Sequence, residues 1–378
     1  MRCNRYIKKA VTSDLKSKMV FISGPRQVGK TTLSLTFLKQ GAEDHPAYFN
    51  WDSRMDRQRL ISGQLPSHQP LLIFDEIHKY SRWRNFLKGL YDKQKSKRKF
   101  IITGSGSLRH YSRGGDSLQG RYYAYRLHPF SLRELNKKPT KDDLMSLLNL
   151  SGFPEPLFSG SKTVLRRWTY NYLTQLVKED IRDLERVKEL DTLEALISAL
   201  PERIGSPLSV KSLKEDLEVS HETVDRWIRI LENLFACFRI APFFGSNQLR
   251  AVKKEKKLYL YNWTQVDNLG LRFENLVACQ LLKYCHFIED TEGFKMELKF
   301  LRDINKREVN FVVLKNKKPQ FAVECKSGDR NVSPYIRYFK ERTNIPKFYQ
   351  VHLKNKDYEK DFVRVCPFET FCKELNMP

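Results

Sequence analysis

The residue spacing with the clearest chemical meaning is a glycine-rich loop near the amino terminus. It reads Gly24-Pro25-Arg26-Gln27-Val28-Gly29-Lys30-Thr31-Thr32 and contains the complete pattern GxxxxGK[ST]. Glycines let a backbone wrap around phosphates, and the free amides of the helix that follows face the negative charge. Lys30 is predicted to reach the β- and γ-phosphates, and the Thr31 hydroxyl to coordinate Mg²⁺. The loop therefore predicts a site for ATP and magnesium.

Two adjacent carboxylates end a buried strand further along the chain. The run LLIFDE, residues 71–76, is apolar until Asp75 and Glu76, which is typical of a parallel strand covered on both faces. Asp75 is predicted to help hold Mg²⁺, and Glu76 to polarise the attacking water. Paired with the phosphate loop, these acids predict hydrolysis of the nucleotide.

Two further candidates lie between residues 99 and 121. The apolar run KFIITGSGS, residues 99–107, ends in small hydroxyl residues, and Thr103 or Ser105 could hydrogen-bond the water or the γ-phosphate. A plain Gly/Ser turn is the alternative. Arg121 directly follows Gly120 and precedes an aromatic stretch. It is a candidate for the cation that stabilises the transferring phosphoryl group, with an ordinary surface arginine as the alternative.

The elements that must position these residues can be predicted from the same segment. Residues 18–23, KMVFIS, are predicted to form the strand before the loop. Residues 31–40 are predicted to form the helix after it, ended by Gly41. From 142 to 205 the chain is rich in helix formers without strand alternation, which predicts a helical lid.

Residues 208–240 show a different pattern, with a short helix, a turn around residues 219–220 and a longer helix from about His221. This is the signature of a helix-turn-helix, and residues 234–244 are predicted to supply the strands of a wing. The exposed face of the second helix offers residues that could approach a groove or phosphates. They are His221, Thr223, Arg226 and Arg229. Such domains also mediate protein contacts or pack internally, so this alternative stays open.

A family resemblance joins these motifs. The segments GPRQVGKTTL, LLIFDEIHKYSRWRNFLKGLYD, FIITGSGSL, LQGRYYAYRLHPFSLREL and SGFPEP occur in this order. The set resembles the bacterial and archaeal AAA-type P-loop ATPases that carry an uncharacterised carboxyl-terminal domain. The resemblance implies ATP binding and places Arg121 near a nucleotide, either of its own subunit or of a neighbour.

The resemblance also implies a tail domain with the PD-(D/E)XK nuclease fold. Its order of elements is a helix with Glu274, a strand with an acid, and a strand with an ExK motif. In that chemistry carboxylates hold Mg²⁺ and a lysine steadies the nucleophilic water. The matching positions are Glu274, Asn310, Glu324 and Lys326. Asn310 replaces the expected aspartate and carries no charge to offset Mg²⁺. Asp303 and Glu308 are nearby, but the sequence does not show that they point inward. A fold retained for binding without cleavage is therefore predicted.

Composition bounds the class of protein and its partners. The chain has 378 residues, 68 Lys and Arg, 44 Asp and Glu, and a formal charge of +24. Such an excess favours polyanionic partners, above all nucleic acid, because each neutralised phosphate releases counterions. The 7 cysteines form no CxxC pair, which is typical of reduced thiols. With no run of about 18 apolar residues, the sequence predicts a soluble cytoplasmic protein.

These observations predict an α/β protein with four parts. They are an AAA-type P-loop core at 1–140, a helical lid at 141–205, a winged helix at 206–245, and an inactive nuclease-like domain at 246–378. The predicted function is an ATPase that couples nucleotide state to DNA binding. The alternatives are a switch acting on protein partners and an ATP-gated nuclease. A homo-oligomer is also possible on these features.

Overall fold

A computed structural model describes residues 4–106, 118–181, 190–243, 255–328 and 331–378. The chain divides into two compact units. The first comprises Met1–Pro129 with Asn233–Phe235, and the second comprises Phe130–Glu232 with Ala236–Pro378. The four-part division predicted from the sequence stays a prediction.

The first unit is built on a five-stranded parallel sheet. Its strands are β1 (Met19–Ser23), β2 (Tyr48–Asn50), β3 (Leu71–Asp75), β4 (Lys99–Gly104) and β5 (Tyr122–Arg126). Their spatial order is β2-β3-β4-β1-β5, and every pair is parallel. The residues of β1 and β3 are buried throughout, as expected for strands covered on both faces. This confirms the predicted P-loop type of α/β sheet.

The described part of the first unit has four helices, of which the first precedes β1 and the other three connect strands. They are α1 (Lys8–Asp14), α2 (Lys30–Leu35), α3 (Arg54–Ile61) and α4 (Trp83–Gln94). A short 3₁₀ turn at Ile77–Lys79 follows β3. An apolar cluster of aromatic and branched side chains, including Phe21, Phe74, Phe100 and Leu87, forms the core on one face of the sheet.

Helix α2 ends five residues earlier than the sequence predicted. The amide of Thr36 bonds to the Leu33 carbonyl at 3.1 Å, and the amide of Phe37 bonds to Ser34 at 3.1 Å, so the chain tightens into i→i−3 turns. The hydroxyls of Ser34 and Thr36 also donate to carbonyls three residues back. Such local side-chain bonds compete with the α-helical ladder.

The second unit begins with a helical region. Its helices up to residue 233 are α5 (Leu132–Leu135), α6 (Lys141–Leu150), α7 (Pro154–Ser159), α8 (Lys162–Gln175), α9 (Leu190–Ala199), α10 (Val210–Leu217) and α11 (His221–Asn233). A π-helical turn at Leu176–Ile181 extends α8, and a 3₁₀ turn at Leu200–Arg203 follows α9.

The remainder of the second unit is organised by an eight-stranded mixed sheet. Its strands are β6 (Cys237–Pro242), β7 (Lys257–Leu260), β8 (Met296–Arg302), β9 (Glu308–Lys315), β10 (Lys318–Lys326), β11 (Phe348–His352), β12 (Tyr358–Lys360) and β13 (Val363–Pro367). The spatial order is β12-β13-β11-β10-β9-β8-β6-β7. Strands β8, β9 and β10 form an antiparallel meander, and β11 joins β10 in parallel.

Three helices accompany this sheet. They are α12 (Leu269–Glu292), α13 (Pro334–Lys340) and α14 (Phe368–Glu374). A 3₁₀ turn at Trp263–Gln265 precedes α12. Asn268 caps α12 by accepting from the Leu271 amide at 3.1 Å, and Gly293 ends it in a left-handed conformation.

The prediction that residues 234–244 hold both wing strands was wrong. In the described part of this segment, up to residue 243, the structure has only β6, and the antiparallel partner of β6 is β7, more than ten residues further on. Residues 234–244 contain no glycine or asparagine, and the first such turn signal is Gly245-Ser246-Asn247. The assignment of α10, α11 and this strand pair as a winged helix stays a prediction.

Two further observations, on the cysteines and on the length of apolar helices, apply to the described residues. Their six cysteines are free thiols. None of their helices is both long enough and apolar enough to cross a membrane.

Candidate nucleotide-binding site

The carboxyl edge of the parallel sheet gathers the predicted ATPase residues. The register pairs Asp75 at the end of β3 with Thr103 of β4, and Ser23 at the end of β1 with Gly104. The glycine-rich loop leaves β1 at this edge. Because all strands run in parallel, the loop, the acids of β3 and the hydroxyls of β4 must meet here.

The geometry of the loop explains its two glycines. A Cβ added to Gly24 would overlap the carbonyl oxygen of Leu127, so only glycine lets the backbone lie this close. Gly29 has φ 94°, in the left-handed region that favours glycine. Lys30 is buried and its Nζ donates to the carbonyl of Pro25 at 2.8 Å and that of Gly24 at 3.2 Å. The ammonium group therefore lies inside the curve of the loop.

Asp75 is the centre of a hydrogen-bond cluster. Its Oδ2 accepts from Thr31 Oγ1 at 2.6 Å and from the Tyr48 hydroxyl at 2.9 Å, while Oδ1 accepts from Thr103 Oγ1 at 2.5 Å. Asp75 is buried, and burial together with the Asp75 charge raises the pKa of Tyr48. Mg²⁺ prefers oxygen ligands, and a hydroxyl and a carboxylate lie side by side here. The residues present therefore fit a magnesium ion at Thr31 and Asp75.

Glu76 lies just beyond the strand in an unusual backbone conformation. Its φ is 53°, and its amide donates to the Thr103 carbonyl at 3.0 Å. Burial raises the pKa of its carboxyl to about 7, although the Lys30 charge acts in the opposite direction. His78 Nε2 lies 3.5 Å from Glu76 Oε2, and burial lowers the pKa of His78 to about 4. A carboxylate poised near neutral pH suits a general base.

The other predicted residues lie in different places relative to this cluster. Thr103, at the end of β4, contacts Asp75 directly, whereas Ser105 lies two residues further on and is half-buried. Arg121 lies at the amino edge of the sheet, where its carbonyl accepts from the Met19 amide at 3.0 Å. Its guanidinium contacts Asp92 at 2.9 and 3.1 Å. This end of β1 is opposite the glycine-rich loop, so Arg121 does not face the site of its own chain.

Three residues near the site escaped prediction from sequence. Tyr48 contacts Asp75, and His78 lies beside Glu76. Arg5 donates to the Val28 carbonyl of the loop at 2.8 Å. Tyr48 and Arg5 are distant in sequence from the motif residues, and no spacing rule joins them to it. His78 could have been found, because it is two residues from Glu76 in the same turn.

The second predicted set lies in the second unit and is held by lysines. Glu274 of α12 is buried and accepts from Tyr259 at 2.8 Å and from Lys257 at 3.4 Å. The fully buried Lys257 Nζ also pairs with Glu308, and Arg302 pairs with Glu308 at 3.0 Å. Burial lowers the pKa of Lys257, but the two carboxylates outweigh it and the pKa is raised. A lysine thus supplies the positive charge among these acids.

Asn310 and Glu324 bind to protein groups as well. The Asn310 side-chain oxygen accepts from the Cys325 amide at 2.8 Å. Glu324 accepts from Lys326 at 2.6 Å and from the Asn310 amide at 3.4 Å, and burial raises its pKa. No group of three or more His, Cys, Asp or Glu in the described ranges could hold a metal ion. The degenerate nuclease site named from the sequence stays a prediction.

Comparison with known families agrees with the geometry of the first site. Residues 16–136 match the family described as AAA domain. This part of the chain is similar to an AAA domain and contains the complete phosphate-loop pattern. Residues 141–264 and 269–371 match two domains of unknown function, DUF8612 and DUF4143. The AAA-like part is thus followed by two segments whose families carry no assigned activity.

The chain is also similar to curated proteins that are described as uncharacterised. Proteins Mb2031c of Mycobacterium bovis and Rv2008c of Mycobacterium tuberculosis are each 24% identical over 65% of this chain and 54% of their own length. The chain therefore spans about half the length of these two relatives. Protein MJ1637 of Methanocaldococcus jannaschii is 24% identical over 74% of this chain and 70% of its own.

Solved structures show limited overall similarity. The RuvB Holliday junction branch migration motor of Thermotoga maritima has a TM-score of 0.31 and 18% identity, over 62% of this chain and 88% of its own. The Aeropyrum pernix ORC1 protein in complex with DNA has a TM-score of 0.33 and 14% identity, over 73% of this chain and 92% of its own.

Proposed function

We propose that this chain binds and hydrolyses ATP and that its nucleotide state controls binding to DNA through the basic second unit. The observation that supports hydrolysis is the Asp75 cluster. One carboxylate accepts from the loop hydroxyl of Thr31 at 2.6 Å and from Thr103 at 2.5 Å. This arrangement joins the phosphate loop to the strand that directly precedes Glu76, as nucleotide hydrolysis requires.

Each residue of the site has a part in this proposal. Lys30 leaves the loop carbonyls to contact the β- and γ-phosphates, and the loop amides contact their oxygens. Thr31 and Asp75 would hold Mg²⁺, which would supply positive charge to offset that of the phosphates. Glu76 orients the attacking water and takes its proton, with His78 beside it. Thr103 holds Asp75 in place through its hydroxyl.

Arg121 enters the proposal only through a neighbouring subunit. It lies at the opposite edge of the sheet from its own loop and pairs with Asp92. An arginine supplied in trans is a known device for stabilising transferred phosphoryl groups. A role for Arg121 in this proposal therefore requires an oligomer, and that oligomer is itself part of the proposal.

Charge supports the choice of DNA as partner. The chain carries a formal charge of +24, and the second unit has 43 Lys and Arg against 35 Asp and Glu, a share of +8. In the second unit a cleft of about 550 Å³ lies beside α10, α11 and β6, and cationic side chains outnumber acids in its lining. The cations are Lys211, Arg229, Arg239 and Lys256, and the acids are Asp225 and Glu255. Among the α11 residues that the sequence predicted to approach DNA, His221, Arg226 and Arg229 are exposed, as phosphate contacts require.

The structure supports the two alternative functions to different degrees. A nuclease is not favoured, because Lys257 and Lys326 pair with the acids of the second set and the Asn310 oxygen accepts from a backbone amide. A switch acting on a protein partner stays open, since a basic surface can bind acidic proteins as well. Binding of duplex DNA, and the dependence of that binding on salt concentration, distinguish DNA from a protein partner.

Steady-state ATP hydrolysis with and without duplex DNA tests the proposal. We expect DNA to stimulate hydrolysis by the wild-type chain. Glu76→Gln should lower kcat by roughly a hundredfold or more while ATP still binds, since it removes only the general base. Absence of both ATP binding and hydrolysis in the wild type would overturn the whole proposal.

The DNA arm needs its own variants. The double variant Lys211→Ala/Lys256→Ala removes two cations of the cleft, and Lys162→Ala, an exposed lysine on α8, is the control for loss of charge. DNA affinity should fall for the double variant, and its dependence on salt should become weaker. No DNA binding by the wild type at low salt would move the proposal to a protein partner.

A further inference from the structure

Arg5 is a buried arginine that contacts the phosphate loop from outside the motif. It is 6% exposed, and it precedes α1. Its Nη1 donates to the Val28 carbonyl at 2.8 Å, and its Nη2 donates to the His128 carbonyl. The planar guanidinium thus joins the loop to the segment that follows β5, a geometry that suits the fixed fork of arginine.

The contact with Val28 has a consequence for the next amide. In a trans peptide the C=O and the N–H point in opposite directions, and no cis peptide occurs in the described ranges. Because Arg5 binds the Val28 carbonyl, the Gly29 amide must point away from the guanidinium. Gly29 begins the turn into α2, where loop amides face the phosphates.

The segment on the other side of Arg5 also borders the loop. The Leu127 amide donates to the Ser23 carbonyl at 2.8 Å, and the Leu127 carbonyl lies against Gly24. The Tyr6 hydroxyl donates to the Arg126 carbonyl and accepts from the His128 amide at 3.2 Å. Arg5 and Tyr6 therefore hold residues 126–128 against the start of the loop, and Arg5 also contacts its end at Val28.

We propose that Arg5 is a positioning residue that orients the Val28–Gly29 peptide and thereby sets affinity for the phosphates of a nucleoside di- or triphosphate. This inference rests on the proposed binding of ATP. Arg5 touches no reacting atom, so its effect falls on binding. Loss of a hydrogen bond to a charged group corresponds to a roughly ten- to hundredfold loss of affinity.

ADP binding measured by titration calorimetry tests this proposal with Arg5→Lys and Arg5→Met. Lysine keeps the charge but lacks the planar fork, so it should bind ADP more weakly than wild type and more tightly than Arg5→Met. In hydrolysis assays KM for ATP should rise in Arg5→Lys while kcat stays within about threefold. Lys9→Met, an exposed lysine of α1, is the control for loss of charge near the amino terminus.

Urea unfolding of each variant separates positioning from folding. If Arg5→Met fails to fold, Arg5→Lys carries the test alone. A folded Arg5→Lys that binds ADP as the wild type does, with KM unchanged, would overturn the inference and leave the proposed ATPase intact. A wild-type chain that binds no ADP would overturn both.

Discussion

At the scale of single residues, Asp75 determines the form of the nucleotide site. It receives hydroxyl groups from three separate elements, namely α2, β2 and β4. Burying a polar group is costly unless it is hydrogen-bonded, and these donors bind both oxygens of Asp75. The three hydroxyls therefore fix the carboxylate at the edge of the sheet, which is where a divalent cation is needed.

Two glycines of the first unit give a matched test of the loop geometry. Gly24→Ala should lower kcat/KM for ATP by on the order of a hundredfold, because its Cβ meets the Leu127 carbonyl and the loop must move. Gly89→Ala, on the exposed side of α4, has open space around its Cβ and should stabilise the fold by about 0.5 to 1 kcal/mol. Kinetics and urea unfolding of both variants check this, and an active Gly24→Ala would contradict it.

The residue types of the site were predictable where a short motif fixed them. Lys30, Thr31 and Asp75 follow from spacing and from the apolar run before the acid. Tyr48 was not predictable, because its contact depends on the parallel pairing of β2 with β3. Arg121 was named for its motif, but its position directly before β5 places it at the amino edge of the parallel sheet.

At the scale of elements, the second unit contains a buried charge network between β7, α12 and β9. Lys257 of β7 pairs with Glu274 of α12 and with Glu308 of β9, and its side chain is fully buried. Breaking a buried pair by removing one partner leaves an uncompensated charge. These three elements are therefore coupled through one ammonium group.

Lys257→Met should destabilise the second unit by about 3 to 5 kcal/mol, because Glu274 and Glu308 lose their shared cation. Adding Glu274→Gln to this variant should recover part of the loss, since one buried charge is then removed. Urea unfolding of the wild type, the single variant and the double variant checks both expectations. A single variant as stable as wild type would show that solvent reaches these acids.

Glu324 predicts a dependence of stability on pH. Burial raises its pKa in the folded state, so the folded chain holds this proton more tightly than the unfolded chain. Its contribution to stability is present below the unfolded pKa and is lost as pH rises through the folded pKa.

Glu324→Gln removes this dependence. The stability of Glu324→Gln relative to wild type should therefore increase between about pH 4.5 and about pH 7.5. Urea unfolding at both pH values measures the difference, and Glu215→Gln on the exposed face of α10 is the matched control. A relative stability that falls with rising pH would show that the Lys326 pair outweighs burial.

At the scale of the whole molecule, the chain consists of two units with separate cores. The second unit includes the helices after Phe130, because Trp263 Nε1 donates to the Leu147 carbonyl at 2.9 Å and Ser151 donates to Asn262 at 2.8 Å. These contacts join residues more than a hundred positions apart. The sequence predicted the helices but could not show which core they join, since such contacts leave no local pattern.

Calorimetric unfolding should resolve the two units. ADP at a hundredfold excess over its Kd should stabilise the first unit by about 2.7 kcal/mol and leave the other transition in place. Lys283→Met should shift only the transition of the second unit, because Lys283 forms a buried ion pair with Glu134 inside the second unit. A single transition that moves with both changes would contradict this independence.

The left-handed backbone conformation of Glu76 lowers the stability of the fold, whereas its carboxylate serves the proposed activity. A side chain with a Cβ costs about 1 to 2 kcal/mol in this conformation, a penalty that glycine does not pay. A lineage selected for heat resistance alone would drift toward glycine at this position, and a laboratory screen for thermostable variants should find the same substitution. Only selection for the carboxylate itself would keep a glutamate here.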